Sequence, residues 1–281
     1  MSALLRKKTH QGGTLPTVEV TPQDAGWQYL AFRAYRLEPG ESIAGETGEY
    51  ETGIVVLGGS CSVAAGGQEF FEIGERPDVW AGRPPYVVVM PPGVAYQVKA
   101  ESHAHIAVAG AKATDCKPHP VRLITPDEIH VEERGEGSTY RRVQHLLPPS
   151  AESARLQLVE VYTPAGNWSS FPPHKHDTED PPREAYLEEI YYYQIKPEEG
   201  FALQRIYTDD RTLDEAVAAH SGDVVLVPRG YHPVAAMPGY DCYYLNAMAG
   251  PSKAWNFTVD PRYAWLMNWK KPEVTEVGGG D

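Results

Sequence analysis

The sequence predicts an all-β protein built from two barrel-like units. Short runs rich in valine, tyrosine and other strand-forming residues recur along the chain, separated by glycine and proline. The 281 residues include 26 glycines and 25 prolines, which fits many short elements joined by turns and is too few for a low-complexity chain. A chain of 281 residues is about twice the usual domain length, so two units of similar size account for it.

Four segments of the first half have the pattern of strands. Residues 26–40 alternate apolar and polar side chains and stop at Pro-Gly, and residues 85–93 are rich in valine up to a Pro-Pro-Gly stop. Residues 53–67 are typical of a hairpin that turns at a Gly-Gly pair, and residues 105–112 form another short apolar run.

The same pattern returns after residue 150, in the runs ARLQLVEVYTPAG, EEIYYYQI, FALQRIYT, GDVVLVPRG and DCYYLNAMAG. Helical periodicity is rare, and residues 209–220 are the place where we expect a short helical turn. Residues 113–154 are polar and punctuated by proline and glycine, which indicates a passage between units. We therefore predict a first unit with its connecting segment over residues 1–150 and a second unit over residues 151–281.

The charge balance limits the classes of partner. Twenty-five Lys and Arg against 38 Asp and Glu leave a net charge of −13, which disfavours binding to nucleic acid or to an anionic membrane surface. No apolar run is long enough to span a bilayer, and the N-terminus lacks the apolar region of a signal peptide. Cys61, Cys116 and Cys242 are odd in number and far apart, which favours reduced thiols and a cytoplasmic location.

A set of histidines and carboxylates in the second half predicts a metal site. His174 and His176 are two residues apart, so on a strand both imidazoles aim at one volume, about 6–7 Å apart. The pair Glu188-Glu189 precedes a strand, and only one of two adjacent carboxylates can face a given side. His232 closes the turn after a valine-rich strand. Three imidazoles and one carboxylate suit a first-row divalent metal and leave positions open for a ligand.

The two halves carry a weak repeat that separates their chemistry. A valine strand runs into Pro-x-Gly and a bulky residue in both, but the residue is Tyr96 in the first half and His232 in the second. The first half also has a histidine pair, His103-x-His105, without the following Glu-strand or turn histidine, and we interpret it as a surface pair. A phenol is a poor replacement for an imidazole at a divalent metal, so the first unit is predicted to be structural.

These motifs resemble those of the cupin superfamily. The stretch Gly222-x5-Pro228-x-Gly230-x-His232 resembles the second cupin motif, and the histidine pair with its glutamate resembles the first, with a longer loop than usual. Beyond the superfamily, the segments TPAGNWSSFPPHKHD, LEEIYYYQI, QRIYTDDRTLDE and VVLVPRGYHPVAAMPGYDCYYLNAMAGP are similar to the 5-deoxy-glucuronate isomerases of myo-inositol breakdown. The likeness extends over nearly the whole chain.

The resemblance implies a bicupin, two jelly-roll barrels in one chain, of which only the second holds a metal. Its ligands are then His174, His176, His232 and one glutamate. Cupins place the ligand carboxylate directly before an apolar-x-Tyr strand, which favours Glu189 over Glu188. Zn, Mn, Fe, Co or Ni all suit this ligand set.

The implied reaction is an aldose–ketose isomerisation in carbohydrate metabolism, converting the sugar acid 5-deoxy-D-glucuronate to 5-dehydro-2-deoxy-D-gluconate. A divalent ion polarises the carbonyl, and a proton-transfer route also needs a base near C2. We expect Glu189 and Tyr191 to be catalytic, with Glu160, Tyr162 and Lys175 as further inward candidates for the base.

The substrate carboxylate requires a cation within an acidic protein. Arg205 lies in an apolar-rich strand, FALQRIYT, and an arginine in such a strand requires a partner. We expect Arg205 and Lys175 to bind the substrate, with Arg142 and Arg183 as weaker alternatives.

Other functions of the same fold stay open on the sequence. They are an iron dioxygenase, an isomerase resembling the 4-deoxy-5-hexosulose-uronate ketol-isomerase of pectin breakdown, and a sugar-acid-binding module without turnover. A regulator is disfavoured because no helix-turn-helix pattern or basic stretch accompanies the barrels. Exposed barrel edges make a homo-oligomer plausible.

Overall fold

Strands make up most of the regular secondary structure in the computed structural model, which describes residues 2–9, 12–117 and 119–268. The strands are β1 Leu5–Arg6, β2 Gly13–Val20, β3 Leu30–Leu37, β4 Ser42–Glu46, β5 Tyr50–Gly58, β6 Cys61–Ala65, β7 Gln68–Ile73, β8 Val87–Met90, β9 Ala95–Ala100, β10 Ala104–Lys112, β11 Arg122–Ile124, β12 His130–Arg134, β13 Arg141–Leu147, β14 Gln157–Thr163, β15 Trp168–Ser169, β16 His174–Lys175, β17 Glu188–Lys196, β18 Ala202–Tyr207, β19 Asp214–Ala219, β20 Val224–Val227, β21 Val234–Ala236, β22 Asp241–Ala249 and β23 Thr258–Val259. Helical turns are short: α1 Pro22–Ala25 and the 3₁₀ turns Val79–Ala81, Pro126–Glu128, Gly137–Thr139 and Pro261–Asn268. The all-β prediction is confirmed.

Each half of the chain forms a sandwich of two antiparallel sheets. In the first half, a six-stranded sheet in the order β11-β8-β5-β10-β3-β2 faces a four-stranded sheet in the order β4-β9-β6-β7. In the second, a seven-stranded sheet in the order β1-β20-β17-β22-β14-β13-β12 faces β15-β21-β18-β19, and β16 pairs with β23. This is the jelly-roll arrangement, present twice.

Strand pairing crosses the boundary that the sequence suggests at residue 150. Strand β13 pairs with β14, and β12 pairs with β13, so part of the connecting segment 113–154 extends the large sheet of the second half. At the other end of the chain, β1 pairs with β20 and also joins that sheet. The division into residues 1–150 and 151–281 stays a prediction, and its last residues, 269–281, lie outside those that the structure describes.

Three apolar cores hold the molecule together. One fills the first sandwich, with Ile54, Val88 and Val98 among its members, and a second fills the other sandwich around Tyr191 and Tyr244. The third lies between the two large sheets, which pack face to face. Its buried side chains include Phe32, Val55, Leu57, Val89, Ile190, Tyr192, Leu226 and Leu245. Because both large sheets are covered on both faces, their strands read as nearly continuous apolar runs. That the first sandwich holds no metal stays a prediction.

Two buried glutamates tie the sandwiches together in matching ways. The Glu188 carboxylate accepts hydrogen bonds from the backbone N–H groups of residues 28, 29 and 30, at 2.8, 2.8 and 2.9 Å, where the chain enters β3. The Glu51 carboxylate accepts from those of residues 154, 155 and 156, at 2.6, 2.7 and 2.7 Å, just before β14. Both glutamates are fully buried. Each sandwich thus supplies one carboxylate that binds the backbone N–H groups at the start of a strand in the other sandwich.

A buried ion pair crosses the same interface. The guanidinium of Arg76, in the loop after β7, contacts the Glu160 carboxylate on β14 with both terminal nitrogens, at 2.5 and 3.0 Å. Tyr243 donates a further hydrogen bond of 2.6 Å to Glu160. Both charged side chains are almost completely buried, so this bidentate geometry compensates the cost of removing them from water.

Two local predictions are wrong. Residues 53–67 form strands on either side of a Gly-Gly turn, but β5 and β6 belong to opposite sheets, so the turn joins the two layers and is not a hairpin. Residues 214–219, inside the expected helical turn, form β19, which pairs with β18 along its length. Strand β5 pairs instead with β8 and β10, whereas β19 pairs with its neighbour in the sequence, β18.

The His103-x-His105 pair is surface-exposed only in part. The His103 ring is exposed, and its Nδ1 lies 2.9 Å from Glu38 Oε2. The His105 ring instead reaches the interface between the sandwiches, with Nε2 2.8 Å from the Tyr192 hydroxyl. Burial, together with the charges of nearby arginines, lowers the pKa of His105 well below its usual value. Separately, none of the helices in the described residues is long and apolar enough to cross a membrane; the cytoplasmic location stays a prediction.

Candidate metal centre

The histidine pair begins on the two-residue strand β16, which contains His174, and His176 follows directly after its end. Two prolines precede His174, and β16 pairs with β23, His174 opposite Val259. The ring centroids of His174 and His176 are 6.4 Å apart. Between them, the Lys175 ammonium contacts Asp177 at 2.6 Å and Glu184 at 3.0 Å. The alternation of the strand therefore separates the two imidazoles from the lysine.

The adjacent glutamates at the start of β17 have different surroundings. Glu189 lies on the face that carries Tyr191 and Tyr193, inside the second sandwich, and Glu188 lies on the face toward the first sandwich. One oxygen of Glu189, Oε2, is 3.1 Å from His176 Nε2 and 3.1 Å from His232 Nε2. The same carboxylate therefore contacts two of the candidate ligand histidines.

His232 is positioned by the turn between β20 and β21. Gly230 has a φ of 87°, and a Cβ on it would lie 2.4 Å from the carbonyl oxygen of Tyr207, so the turn requires glycine. The Gly230 N–H donates to Asp177 at 2.8 Å, which ties this turn to the loop after the histidine pair. The motif spacing thus places the His232 imidazole opposite His174 and His176, with ring centroids 5.0 Å from each.

Each of the three imidazoles is held by a hydrogen bond from its Nδ1 to a backbone carbonyl oxygen. Nδ1 lies 2.9 Å from the Pro172 carbonyl oxygen in His174, 3.1 Å from that of Leu187 in His176 and 2.9 Å from that of Gly230 in His232. A carbonyl can only accept, so Nδ1 carries the proton and Nε2 of the neutral ring presents a lone pair. Hydrogen bonds from the ring nitrogen that does not bind the metal are the usual means of orienting histidine ligands.

The electrostatics of the cluster favour an ionised carboxylate. Burial raises the pKa of Glu189, but the His232 and His176 rings outweigh it and lower the pKa well below the usual value. Burial and the His232 ring lower the pKa of His174 to about 3. For His176, burial lowers the pKa, but the hydrogen bond with Glu189 and its charge outweigh this and raise it.

The donor set fits a divalent metal ion. The ligand atoms of His176, Glu189 and His232 all lie within 4.8 Å of one another, and all three residues are buried. His232 Nε2 is completely buried and has no hydrogen-bond partner among the described residues, although it is close to Glu189. A buried polar atom without a partner is costly, and a cation at the focus of these atoms removes that cost. His174 adjoins this group, and its role as fourth ligand stays a prediction.

A cavity of about 460 Å³ opens beside the cluster, a volume typical of small-molecule sites. Strands β13, β14, β17 and β22 form its floor, and the segment after β22 supplies an apolar wall. Its lining residues include Arg134, Thr139, Arg141, Val143, Val161, Ser170, His174, His176, Glu189, Tyr191, Tyr244, Asn246, Trp255, Phe257 and Met267. The cavity thus joins the candidate ligands to hydroxyl, amide and guanidinium groups.

Tyr191 lies within this site. Its ring centroid is 5.9 Å from that of His232, and its hydroxyl is 2.8 Å from Ser170 Oγ. Burial and the Glu189 charge raise its pKa well above the usual value, so the phenol stays protonated. Tyr191 can therefore donate a proton or a hydrogen bond and is unsuited to the role of base. Ser170 itself has a φ of 47°, a conformation uncommon for a residue with a side chain.

The expected substrate-binding cations lie elsewhere. Arg205 is on the exposed face of β18, where it makes two hydrogen bonds of 2.8 Å to Asp214 and stacks on Tyr207. Lys175 is occupied by its two carboxylates, as described above. Of the alternatives, Arg183 is exposed and pairs with Asp180. None of Arg205, Lys175, Arg183 or Arg142 lines the cavity. The structure therefore does not place Arg205 and Lys175 in the cavity where we expected them to bind the substrate.

Two further candidates for the base face away from the site. Glu160 and Tyr162 lie on the face of β14 directed toward the first sandwich, where Glu160 binds Arg76 and the Tyr162 hydroxyl donates to the Val79 carbonyl at 2.7 Å. The residues of β14 that line the cavity are instead Val159 and Val161. The prediction that Glu160 and Tyr162 point into the site is therefore wrong, because they lie on the opposite face of β14.

Several residues that line the cavity were not predicted from the sequence. Arg141 was overlooked because the segment around it was interpreted as a connection, although the alternation in RRVQHLL is typical of a strand. Asn246 and Tyr244 follow the period of two along β22 and could have been found once that strand was oriented. Trp255 and Phe257 come from an irregular segment that carries no periodic signal.

Two jelly rolls in one chain, with a His-rich metal-type site in the second, define a bicupin. At the level of fold alone, the chain is similar to the oxalate decarboxylase of Lactobacillus farciminis, with a TM-score of 0.64 and 13% identity over 96% of this chain and 91% of that one. The chain belongs to the KduI/IolB family, which matches residues 3–266.

Relatives in that family are close. The 5-deoxy-glucuronate isomerase of Geobacillus thermodenitrificans is 48% identical over 255 residues, covering 90% of this chain and 92% of the relative. The crystal structure of an IolB-like protein from Salmonella typhimurium LT2 superimposes with a TM-score of 0.91 at 45% identity, covering 94% of this chain and 99% of that one. Family and fold were both predicted by the motifs of the sequence, and both predictions are confirmed.

Proposed function

We propose that this chain is an aldose–ketose isomerase that converts 5-deoxy-D-glucuronate to 5-dehydro-2-deoxy-D-gluconate in the breakdown of myo-inositol. The observation that carries the proposal is the convergence of His176, Glu189 and His232 beside a cavity of small-molecule size, in a chain whose relatives bear the name 5-deoxy-glucuronate isomerase. The small sugar acid is the proposed partner, and a homo-oligomer stays a prediction.

His174, His176, Glu189 and His232 are the proposed ligands of one divalent transition metal, with Zn, Mn, Fe, Co and Ni as candidates. A divalent ion supplies Lewis acidity, which polarises the substrate carbonyl and stabilises the negative charge that develops on its oxygens. The chain keeps the ligands ready for it: carbonyl oxygens fix the histidine tautomers, and the lowered pKa of Glu189 keeps the carboxylate ionised at neutral pH.

Tyr191 is proposed to hold a proton at its hydroxyl and to donate a hydrogen bond to a substrate oxygen during the isomerisation. Its high pKa keeps that proton in place, and Ser170 orients the hydroxyl. Glu189, which the sequence also predicted to be catalytic, is a weak base because of its lowered pKa, so we propose that it acts mainly through its negative charge at the metal. The apolar wall formed by Trp255 and Phe257 limits the access of water to the cavity.

The function is tested by turnover of 5-deoxy-D-glucuronate under nitrogen, before and after treatment with a chelator. We expect isomerisation to proceed without dioxygen, to be lost on chelation, and to return when one of the candidate metals is added, with elemental analysis identifying the metal of the protein as isolated. A dependence on dioxygen would favour the dioxygenase alternative. Binding without turnover would favour a sugar-acid-binding module, and faster turnover of 4-deoxy-5-hexosulose-uronate would favour the other isomerase.

Replacement of Tyr191 by phenylalanine is expected to lower kcat by about 10²-fold, because the variant loses a hydrogen-bond donor at the developing charge. The metal content should not change, since the hydroxyl is not a ligand. Tyr193→Phe is the matched control: its ring is 6.1 Å from that of Tyr191, but its hydroxyl donates to Gln204 at 2.8 Å, away from the cavity lining. Equal kinetics of the two variants would remove Tyr191 from the mechanism.

A further inference from the structure

Arg141 differs from the other buried arginines of the described chain. Its side chain is 8% exposed, as buried as that of Arg155, but Arg155 contacts Asp115 and Arg76 contacts Glu160. No carboxylate lies within ion-pair distance of Arg141 among the described residues. Burial lowers the pKa of its guanidinium, which is the effect expected where no counter-charge offsets the loss of water.

Two hydrogen bonds hold the guanidinium of Arg141 in place and leave its other N–H donors without a partner in the described residues. Nη1 donates to the carbonyl oxygen of Thr139 at 2.9 Å, and Nη2 donates to that of Phe171 at 2.8 Å. A guanidinium has five N–H donors, so three remain after these two contacts. Phe171 lies three residues before His174, so one of these hydrogen bonds fixes Arg141 to the segment that leads to the histidine pair.

The position of Arg141 directs those donors to the substrate cavity. Arg141 and Val143 point from β13 into the cavity that also contains His174, His176 and Glu189. The only other arginine of the described lining, Arg134, is half-buried, and both sides of its fork contact Glu132, at 3.0 and 2.6 Å. Arg134 is thus already paired with a carboxylate, whereas Arg141 has donors left and no counter-charge, so Arg141 is the arginine of the described lining that is free to bind an anionic ligand.

We propose that Arg141 binds the carboxylate of the sugar acid by a bidentate contact and so selects uronates over neutral sugars. This inference rests on the proposed function and adds to it the group that recognises the acid end of the substrate. A guanidinium fork matches a carboxylate, and its two carbonyl contacts orient it before the ligand arrives. The reacting end of the sugar is then left to face the candidate metal ligands, which line the same cavity. In a protein with a net charge of −13, such a local cation is needed to admit an anion.

The test compares Arg141→Met with the parent protein on two substrates, 5-deoxy-D-glucuronate and its neutral amide at C6. We expect kcat/KM for the acid to fall by roughly 10²-fold, mainly through KM, and kcat/KM for the amide to change by less than about threefold. Arg141→Lys should keep part of the preference for the acid, because it keeps the charge and loses the fork. Arg142→Met is the matched control: the neighbouring arginine faces away from the cavity and should leave both substrates unaffected.

Two results would overturn the assignment. One is an Arg141→Met protein that still prefers the acid to the same degree. The other is a loss of equal size on acid and amide in both Arg141 variants, which is the result of a purely structural role. Metal content is measured in parallel and should equal that of the parent.

A binding experiment separates this inference from the proposed function. If the parent protein does not turn over 5-deoxy-D-glucuronate, the proposed function fails, and calorimetry on the metal-loaded protein with D-gluconate and D-gluconamide then tests Arg141 alone. Tighter binding of gluconate by the parent, lost in Arg141→Met, supports the carboxylate contact. Equal binding of the two probes by the parent, or no binding of either, contradicts it.

Discussion

Replacement of His232 by alanine is expected to remove the bound metal and to lower kcat/KM by at least about 10³-fold. The imidazole contributes one of the converging Nε2 atoms, and the loss of Lewis acidity costs several kcal/mol of transition-state stabilisation, at about 1.4 kcal/mol for each factor of ten. The variant should still fold, because the lost ring lies beside an existing cavity and its Nε2 has no hydrogen-bond partner whose loss would cost stability.

The measurement is the molar ratio of metal to protein by elemental analysis, combined with turnover under saturating added metal. His103→Ala is the matched control, since it removes an exposed imidazole from the other sandwich and should leave both quantities unchanged. A His232→Ala protein that keeps one equivalent of metal and full activity would show that the metal lies elsewhere.

Replacement of Glu188 by alanine is expected to lower the free energy of unfolding by at least about 3 kcal/mol. The variant leaves three consecutive backbone N–H groups at the entrance to β3 without an acceptor, and each buried unsatisfied donor costs about 1–3 kcal/mol. Glu188→Gln keeps one acceptor oxygen and should lose less. This effect is structural, so the metal content of the folded variant should match that of the parent.

Urea unfolding of the variants measures the difference directly, because the midpoint shifts when the stability changes at constant slope. Glu198→Ala, an exposed glutamate on the turn after the same strand, is the control and should stay within about 0.5 kcal/mol of the parent. Stability of Glu188→Ala within the same margin would mean that water or a rearranged backbone satisfies the three N–H groups.

The sequence was sufficient to predict the parts of the molecule that depend on local pattern. Valine and tyrosine runs mark the strands, and the Pro-x-Gly-x-His spacing marks a turn that glycine alone can adopt. The common direction of the two imidazoles in the histidine pair can be predicted because alternation along a strand is a property of the backbone itself. For these features, neighbours in sequence decide the structure.

What the sequence did not predict depends on which strands and side chains become partners in the folded chain. Arg205 was expected at the substrate because an arginine in an apolar strand needs a counter-charge, but that counter-charge is Asp214 on the outer face of the next strand. Glu160 was expected to point into the second sandwich, but it points toward the first, where its partner Arg76 lies 84 residues away in the sequence. The helical turn expected near residue 214 is a strand because β18 lies beside it. Such choices are made by tertiary pairing, which no local pattern records.

The pairing of β1 with β20 has a consequence for how the protein is made. Leu5 lies opposite Val225, so Leu5 finds its partner only when more than two hundred further residues have been translated. Until then, the nascent chain can complete its first sandwich but not the sheet that carries Glu189. A purification tag fused directly before Leu5 would therefore lie at the edge of the sheet that carries Glu189, although Leu5 belongs to the first half of the sequence.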